Sequence, residues 1–373
     1  MVLPTTYISA LLLLVLSFIC LGSWVNTFKL AGPRWRFELF CIDFAIGAAA
    51  LSVIAAFTFG SLGSDLGFTD RMLVAGHLAQ VFLIAAGFIF NLGNMLLLAA
   101  SSILGTAAAF PLSIGIAVVV SALLKFPGNN EVVLISGMVL MIVPTLLVGS
   151  SWRVRDRPAK TAPAKGGADT LTGAATKDLD SAASTSPAAV STARNVVATE
   201  RKARGRRRKK GLVIGMLAGV ALGLFYPVAD QGLAGDFGVG PYAGVLLFSL
   251  GVLLSTIMYS FYFLNIAIDG APLSFGAYFR GKARQHFLGF GGGAMWAFGI
   301  LAASLGISVH EQVGLSHVLV LVLPIASVLA VMWWGSVVWK EFASASRMAK
   351  VSLVLTAGCF ASGITLIGMG ITR

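Results

Sequence analysis

Apolar stretches close to twenty residues long recur along this chain, and a helix needs about twenty to cross the hydrocarbon core of a bilayer. In lipid every backbone amide must find a partner inside the protein, so only helices or a closed barrel can span. These stretches are continuous and lack the alternation with period two that barrel strands need, so they read as helices. Composition agrees: 57% of the 373 residues are apolar and 11% are charged, where a soluble domain carries about a quarter charged. Ten spans follow, at 6–27, 38–60, 75–99, 103–125, 131–150, 211–229, 241–268, 286–306, 316–339 and 350–371. The expected fold class is an all-α polytopic membrane protein of ten transmembrane helices. The third and seventh spans exceed the minimum length, which predicts a tilt or a break. Met1 to Ser23 looks like a secretory leader but lacks the basic residues that precede one, so it is read as the first span, retained. Cys20, Cys41 and Cys359 fall in apolar segments without metal-ligand spacing and read as small buried hydrophobes.

Charge then orients the spans. Residues 1–150 hold five of them and 211–373 the other five, with a linker at 151–210 that is rich in Ala, Ser, Thr and Pro. Such a composition cannot bury enough apolar surface to fold, so the linker is expected to be disordered. It closes on eight basic residues between Arg201 and Lys210. Most of the net charge of +12 sits in this one loop, which argues against a nucleic-acid partner. The run is suited to holding the loop in the cytoplasm, and to binding anionic lipid headgroups at 201–210. Loops after odd-numbered spans carry 24 basic residues and the opposite side carries three. The positive-inside rule therefore predicts both termini outside the plasma (inner) membrane and the linker in the cytoplasm.

Five spans per half means that the second half enters the membrane in the opposite sense, the plan of two inverted five-helix repeats. Short echoes support it. Leu21-Gly22-Ser23-Trp24 matches Leu222-Gly223-Leu224-Phe225, and Phe110-Pro111-Leu112-Ser113 is paired with Leu323-Pro324-Ile325-Ala326.

Motifs of soluble enzymes are missing: the sequence holds no phosphate loop, HExxH or nucleophile elbow, and no histidine pair at metal-ligand spacing. No catalytic residue, metal or cofactor is expected. The polar groups inside the spans become the candidates, because each is costly in lipid unless paired or facing a cavity. Asp43 is the one carboxylate more than a few residues inside a span; it reads as a proton-coupling group or as an interfacial partner of Arg34 or Arg36. Asn91 and Asn94 share a helix face and suit either a polar solute or helix–helix hydrogen bonds. Pro111 and Pro324 free carbonyls in spans four and nine, with Ser113 and Ser327 just beyond them. Tyr259, Tyr262 and Asn265, spaced three apart, fit a solute clamp or an interfacial belt. Trp24 and Trp296 join the candidate binding set; Trp333 and Trp334 carry the same ambiguity between binding, belt and packing.

Leu92-Gly93-Asn94 in span three, Leu21-Gly22-Ser23-Trp24, Ile42-Asp43-Phe44, Leu323-Pro324 and Trp339-Lys340-Glu341 together resemble the ureide permease-like branch of the drug/metabolite transporter superfamily. The resemblance implies proton-coupled secondary transport of small polar compounds such as ureides, nucleobase-like compounds or sugars. Ala109-Phe110-Pro111-Leu112 departs from the more polar start expected of span four. Export of a metabolite or drug, or an intramembrane lipid-modifying activity, are the alternatives.

Overall fold

The computed structural model describes residues 1–63, 66–125, 130–142, 187–233, 238–343 and 345–371. Every regular element among these residues is helical. In chain order they are α1 Tyr7–Ser23, α2 Val25–Ala31, α3 Phe37–Phe57, α4 Phe68–Val74, α5 His77–Leu104, α6 Thr106–Lys125 and α7 Glu131–Ile142. After the linker come α8 Pro187–Leu233, α9 Pro241–Asn265, the short α10 Gly276–Phe279, α11 Ala283–Val309, α12 His317–Trp333 and α13 Arg347–Ile371.

Among the described residues, nine helices are long and apolar enough to cross a membrane, and the chain is a multi-pass membrane protein. Their positions follow the hydropathy reading within a few residues, with α1 and α2 forming one span broken only at Trp24. The fifth expected span is described only as α7, twelve residues long, and its remainder at 143–150 lies outside the described residues. The long third and seventh spans are continuous helices; the break comes before α5, at Ala75–Gly76.

The linker reading needs correcting. From Pro187 onward it is helical, in one piece with the membrane span that begins near Gly205. The reason is local: Ala, Lys and Arg are good helix formers, and a preformed span removes the nucleation cost that keeps short helices open in water. Residues 151–186 lie outside the described residues.

Small residues set how closely the helices approach. A methyl at Gly293 of α11 would fall inside the Phe44 carbonyl of α3, and one at Gly47 of α3 would fall inside the Phe290 carbonyl of α11. The same reciprocal crossing joins α5 to α9, where Gly87 meets the Phe248 carbonyl and Gly251 the Ile84 carbonyl. Gly93 of α5 packs on Leu222 of α8, and Gly299 of α11 packs on Leu21 of α1. Gly22 of α1 lies against Ala330 of α12, as Gly223 of α8 lies against Val120 of α6. In such crossings backbones gain dispersion contact that bulkier side chains would prevent.

Directions follow from these contacts. Down α5 the partners on α8 run backward, from Gly232 beside Leu83 to Leu222 beside Gly93 and Gly211 beside Leu104. The two helices are antiparallel. α8 and α6 run parallel, as do α1 and α12. The loops after α2, α9 and the Trp334–Val338 π-turn meet at one end of the bundle, joined by Lys29–Glu341, by Arg36 to the Ala271 carbonyl and by Arg207–Asp269. This is the basic end.

Candidate functional site

The centre of the bundle is aromatic. Phe90 of α5 stacks on Trp296 of α11 with ring centroids 4.8 Å apart. Phe44 lies 5.5 Å from Trp296, and Phe248 lies 5.3 Å from Phe90. Beyond them Trp24 packs on Phe44 at 5.0 Å, and Phe225 packs on Phe248 at 5.7 Å. Phe110 closes the side next to Trp24 at 6.2 Å. All but Phe225 are at most 8% exposed. Trp24 and Trp296, two of the candidates named from sequence, lie in this aromatic centre. The five phenylalanines were missed, because in so apolar a chain a phenylalanine carries no signal of its own.

Asn94 sits one turn beyond Phe90 on the same face of α5, and Asn91, three residues before Asn94, is turned toward α9. Both are buried. Asn91 Nδ2 donates toward Ser255 Oγ and Thr256 Oγ1, each at 2.9 Å, and toward the Val252 carbonyl at 3.2 Å. That face of Asn91 ties α5 to α9. Among the described residues its Oδ1 has no hydrogen-bond partner, nor has Nδ2 of Asn94. Buried polar atoms are nearly always paired, so one acceptor and one donor left open a turn apart call for an explanation.

The spans-four-and-nine candidates fare differently. Ser113 Oγ donates to the Gly215 carbonyl at 2.8 Å, so its hydroxyl is spent on binding α8 to α6. Ser327 is buried and its carbonyl lies against Gly22. Pro111 and Pro324 both lie inside unbroken helices, the first buried and the second half-buried. The paired crossings put Ala117 in the place of Ser327, so Pro324 corresponds to Ile114 and Pro111 to Leu321. Matched through these glycine contacts, the two prolines stand about one turn out of register. The irregular backbone lies further on, in the π-turn Trp334–Val338.

Tyr262 and Asn265 are exposed on the outside of α9, and Asn265 Nδ2 donates to the Phe261 carbonyl of its own helix. Tyr259 is half-buried. Spacing of three does put them on one side, but it is the outer side, with Trp333 exposed in the same way on α12. Tyr262 and Asn265 face outward, while Tyr259 packs partly against the core.

Asp43 does not pair with Arg34 or Arg36. Arg36 Nη2 and Nε instead hold the buried Glu38 carboxylate. Asp43, 5% exposed, receives a 2.6 Å hydrogen bond from the Tyr278 hydroxyl, and both its oxygens lie 3.0 Å from His286 Nδ1. Gly289, one turn past His286 on α11, gives the Asp43 methylene room to approach. Trp35 packs edge-on against His286 at 5.0 Å, and its buried Nε1 has no hydrogen-bond partner among the described residues. Burial, with the Asp43 carboxylate accepting the hydrogen bond, pushes the Tyr278 hydroxyl well above the ordinary phenol range. It stays a donor at every physiological pH. His286 and Tyr278 were missed in the sequence because they lie more than 230 residues from Asp43 along the chain.

No cluster of three or more metal-ligating side chains occurs among the described residues. The basic end holds a second ionic group. Lys29 pairs with Glu341, and Glu341 also caps the start of α6, accepting from Thr106 N and Ala107 N at 2.9 Å. Trp339 Nε1 donates to Asn26 Oδ1 and Trp334 Nε1 to Ser23 Oγ.

No protein-family model matches the chain. It is 24% identical over 396 aligned residues to Ureide permease 2 of Arabidopsis thaliana, with 96% of each chain covered. One solved crystal structure aligns with 95% of this chain and 96% of its own at 15% identity, with a TM-score of 0.44, too low to carry an argument. A likeness over nearly the whole chain to a protein named as a permease is in keeping with the nine apolar helices among the described residues.

Proposed function

We propose that this protein is a permease that moves a small polar solute by alternating access between two inverted five-helix repeats. Support for the repeat is residue by residue. Exchange of α1 with α8, α3 with α9, α5 with α11 and α6 with α12 turns each reciprocal crossing into another one that is present. It also turns the contact of Trp24 with Phe44 into that of Phe225 with Phe248, and carries the Phe90–Trp296 stack onto itself. Because α8 runs antiparallel to α5, and α5 runs with α1, the exchange reverses direction. The fifth helix of the first repeat is described only as α7.

The observation that carries the solute reading is the open pair on α5, Asn91 Oδ1 and Asn94 Nδ2, beside the aromatic centre. An acceptor and a donor one turn apart complement a solute edge with a neighbouring N–H and C=O, as in ureides and nucleobases. The rings beside them supply faces on which a flat solute stacks. Asp43 is the proton-coupling residue, with His286 and Tyr278 holding its carboxylate at the crossing of α3 and α11. The basic end faces the cytoplasm of the plasma membrane by the positive-inside rule, with both termini outside.

Uptake of labelled uracil, xanthine and allantoin into proteoliposomes, with and without an inward pH gradient, tests this reading. A gradient-driven uptake of at least one solute is expected. Asn94→Leu should lower it about tenfold, the worth of one hydrogen bond near a charge-free site, and Asp43→Asn should remove the dependence on the gradient. No flux of any of the three solutes in the intact protein would sink the assignment.

A further inference from the structure

A groove of about 590 Å³ lies at the basic end between the N-terminal part of α8 and the connection after α9. Its α8 wall is Thr199, Lys202, Arg206, Arg207 and Lys210, and its other wall is the backbone from Ala267 to Gly270 with Asp269. Residues 199, 202, 206 and 210 recur at helical spacing, so one face of α8 aims its cations into the groove. The floor is fixed from two directions. Arg207 holds Asp269 at 2.5 Å, and Arg36 donates to the Ala271 carbonyl at 2.5 Å. One of the four cations is therefore neutralised, and Lys202, Arg206 and Lys210 form no ion pair with a described residue. Three cations facing a groove with one paired acid make a site for an anion.

We infer that this groove binds the phosphate of an anionic phospholipid headgroup. The height is right: the apolar run of α8 begins at Gly211, directly after Lys210 at the end of the lining, so the groove sits at the boundary between lipid and water. The connection that forms its floor also carries Ile266, Phe275 and Phe279, which are 58%, 45% and 74% exposed. Exposed aromatic rings beside cations are the arrangement that seats a segment at headgroup level. A site for a free phosphate in water would have no use for them.

Lys202, Arg206 and Lys210 are exposed, so replacing them by Gln threatens no packing. The full-length protein, delipidated in detergent, is titrated with phosphatidylglycerol, with phosphatidylcholine and with inorganic phosphate while thermal unfolding is followed. Phosphatidylglycerol should raise the melting temperature, and the triple variant Lys202→Gln/Arg206→Gln/Lys210→Gln should bind it about a hundredfold more weakly. Arg347→Gln/Lys350→Gln, which removes two exposed cations from α13 at the same end, should keep the full response. Equal loss in both variants would show diffuse attraction and overturn the site. Stabilisation by inorganic phosphate equal to that by the lipid would reassign the groove to a soluble anion. These measurements need no transport, so they stand or fall apart from the solute reading.

Discussion

α1 and α8 make the same contacts in the middle of the bundle and different ones at their ends. Leu21 and Leu222 pack on equivalent glycines, and Gly22 and Gly223 meet equivalent neighbours. One turn further on the likeness stops. Ser23, Asn26 and Lys29 line one face of the α1 span and bond in turn to Trp334, Trp339 and Glu341. Their counterparts on α8 are Leu224, Pro227 and Asp230. The basic end is laced between α1 and α12 by three polar contacts, and the opposite end has two apolar groups in the first two of those places. Under the proposed alternating access, the matched middle is the pivot and the unmatched ends decide which state is favoured.

The largest effect expected is a test of the matched middle. Gly291 and Gly293 are near neighbours on α11, yet a methyl at Gly291 meets nothing within 4 Å while one at Gly293 runs into the α3 backbone. Gly293→Ala should cost about 3 kcal/mol or more, with loss of monodisperse protein in detergent, because two backbones must separate. Gly291→Ala should stay within about 0.5 kcal/mol. Gly87→Ala, at the matching crossing of α5 with α9, should behave like Gly293→Ala. Unequal responses at Gly87 and Gly293 would break the match.

The unmatched ends come next. Glu341→Ala leaves Lys29 without its carboxylate and uncaps α6. The Lys29 and Glu341 side chains are only 19% and 12% exposed, so the loss should be about 2–4 kcal/mol after allowing for that exposure. Leu224→Ala, at the α8 place that answers to Ser23, is 42% exposed and should change stability by about 0.5 kcal/mol or less. Thermal unfolding of the two variants side by side measures the asymmetry directly.

Asn91 and Asn94 sharpen the comparison on a smaller scale. Asn91→Leu gives up bonds that tie α5 to α9 and should cost about 1 kcal/mol. Asn94→Leu removes a buried donor that bonds to nothing, so stability should hold or rise slightly. Under the proposed function the uptake loss should be the larger in Asn94→Leu, so stability and transport would rank the two residues in opposite orders.

Much of this was legible along the chain. The spans follow from hydropathy because the bilayer imposes one length on every helix. The echo of Leu21-Gly22 in Leu222-Gly223 located equivalent contacts, because a glycine at a helix crossing tolerates no substitute. The glycine contacts set Pro111 and Pro324 about one turn out of register, since a proline tolerated inside a helix fixes no neighbour and cannot set register. Tyr262 and Asn265 show the limit of periodicity, which says that residues share a face without saying which face is buried. The helical run from Pro187 to Lys210 was invisible to composition, since Ala-rich basic sequence is equally at home as coil or helix until something nucleates it.

The smallest effect returns to the unmatched ends. Under the proposed repeat Asp43 answers to Leu247 on α9, which has no carboxylate to accept a bond like the one from Tyr278. The Tyr278 hydroxyl is raised above the ordinary phenol value, first by burial and then by the Asp43 carboxylate. An unfolded phenol ionises near pH 10. Below that pH both states keep the proton and the contribution is constant. Above it the unfolded chain loses the proton while the folded protein must hold it, so stability falls as pH rises toward the folded value. Tyr278→Phe should cost about 1 kcal/mol at neutral pH, the net worth of the bond. It should also flatten part of the alkaline decline, and the difference between the two unfolding curves from pH 8 to pH 11 isolates this residue from the other tyrosines. Parallel curves would mean that the hydroxyl is not held by Asp43, and that the basic end owes its closure to Lys29 and Glu341 without this contact.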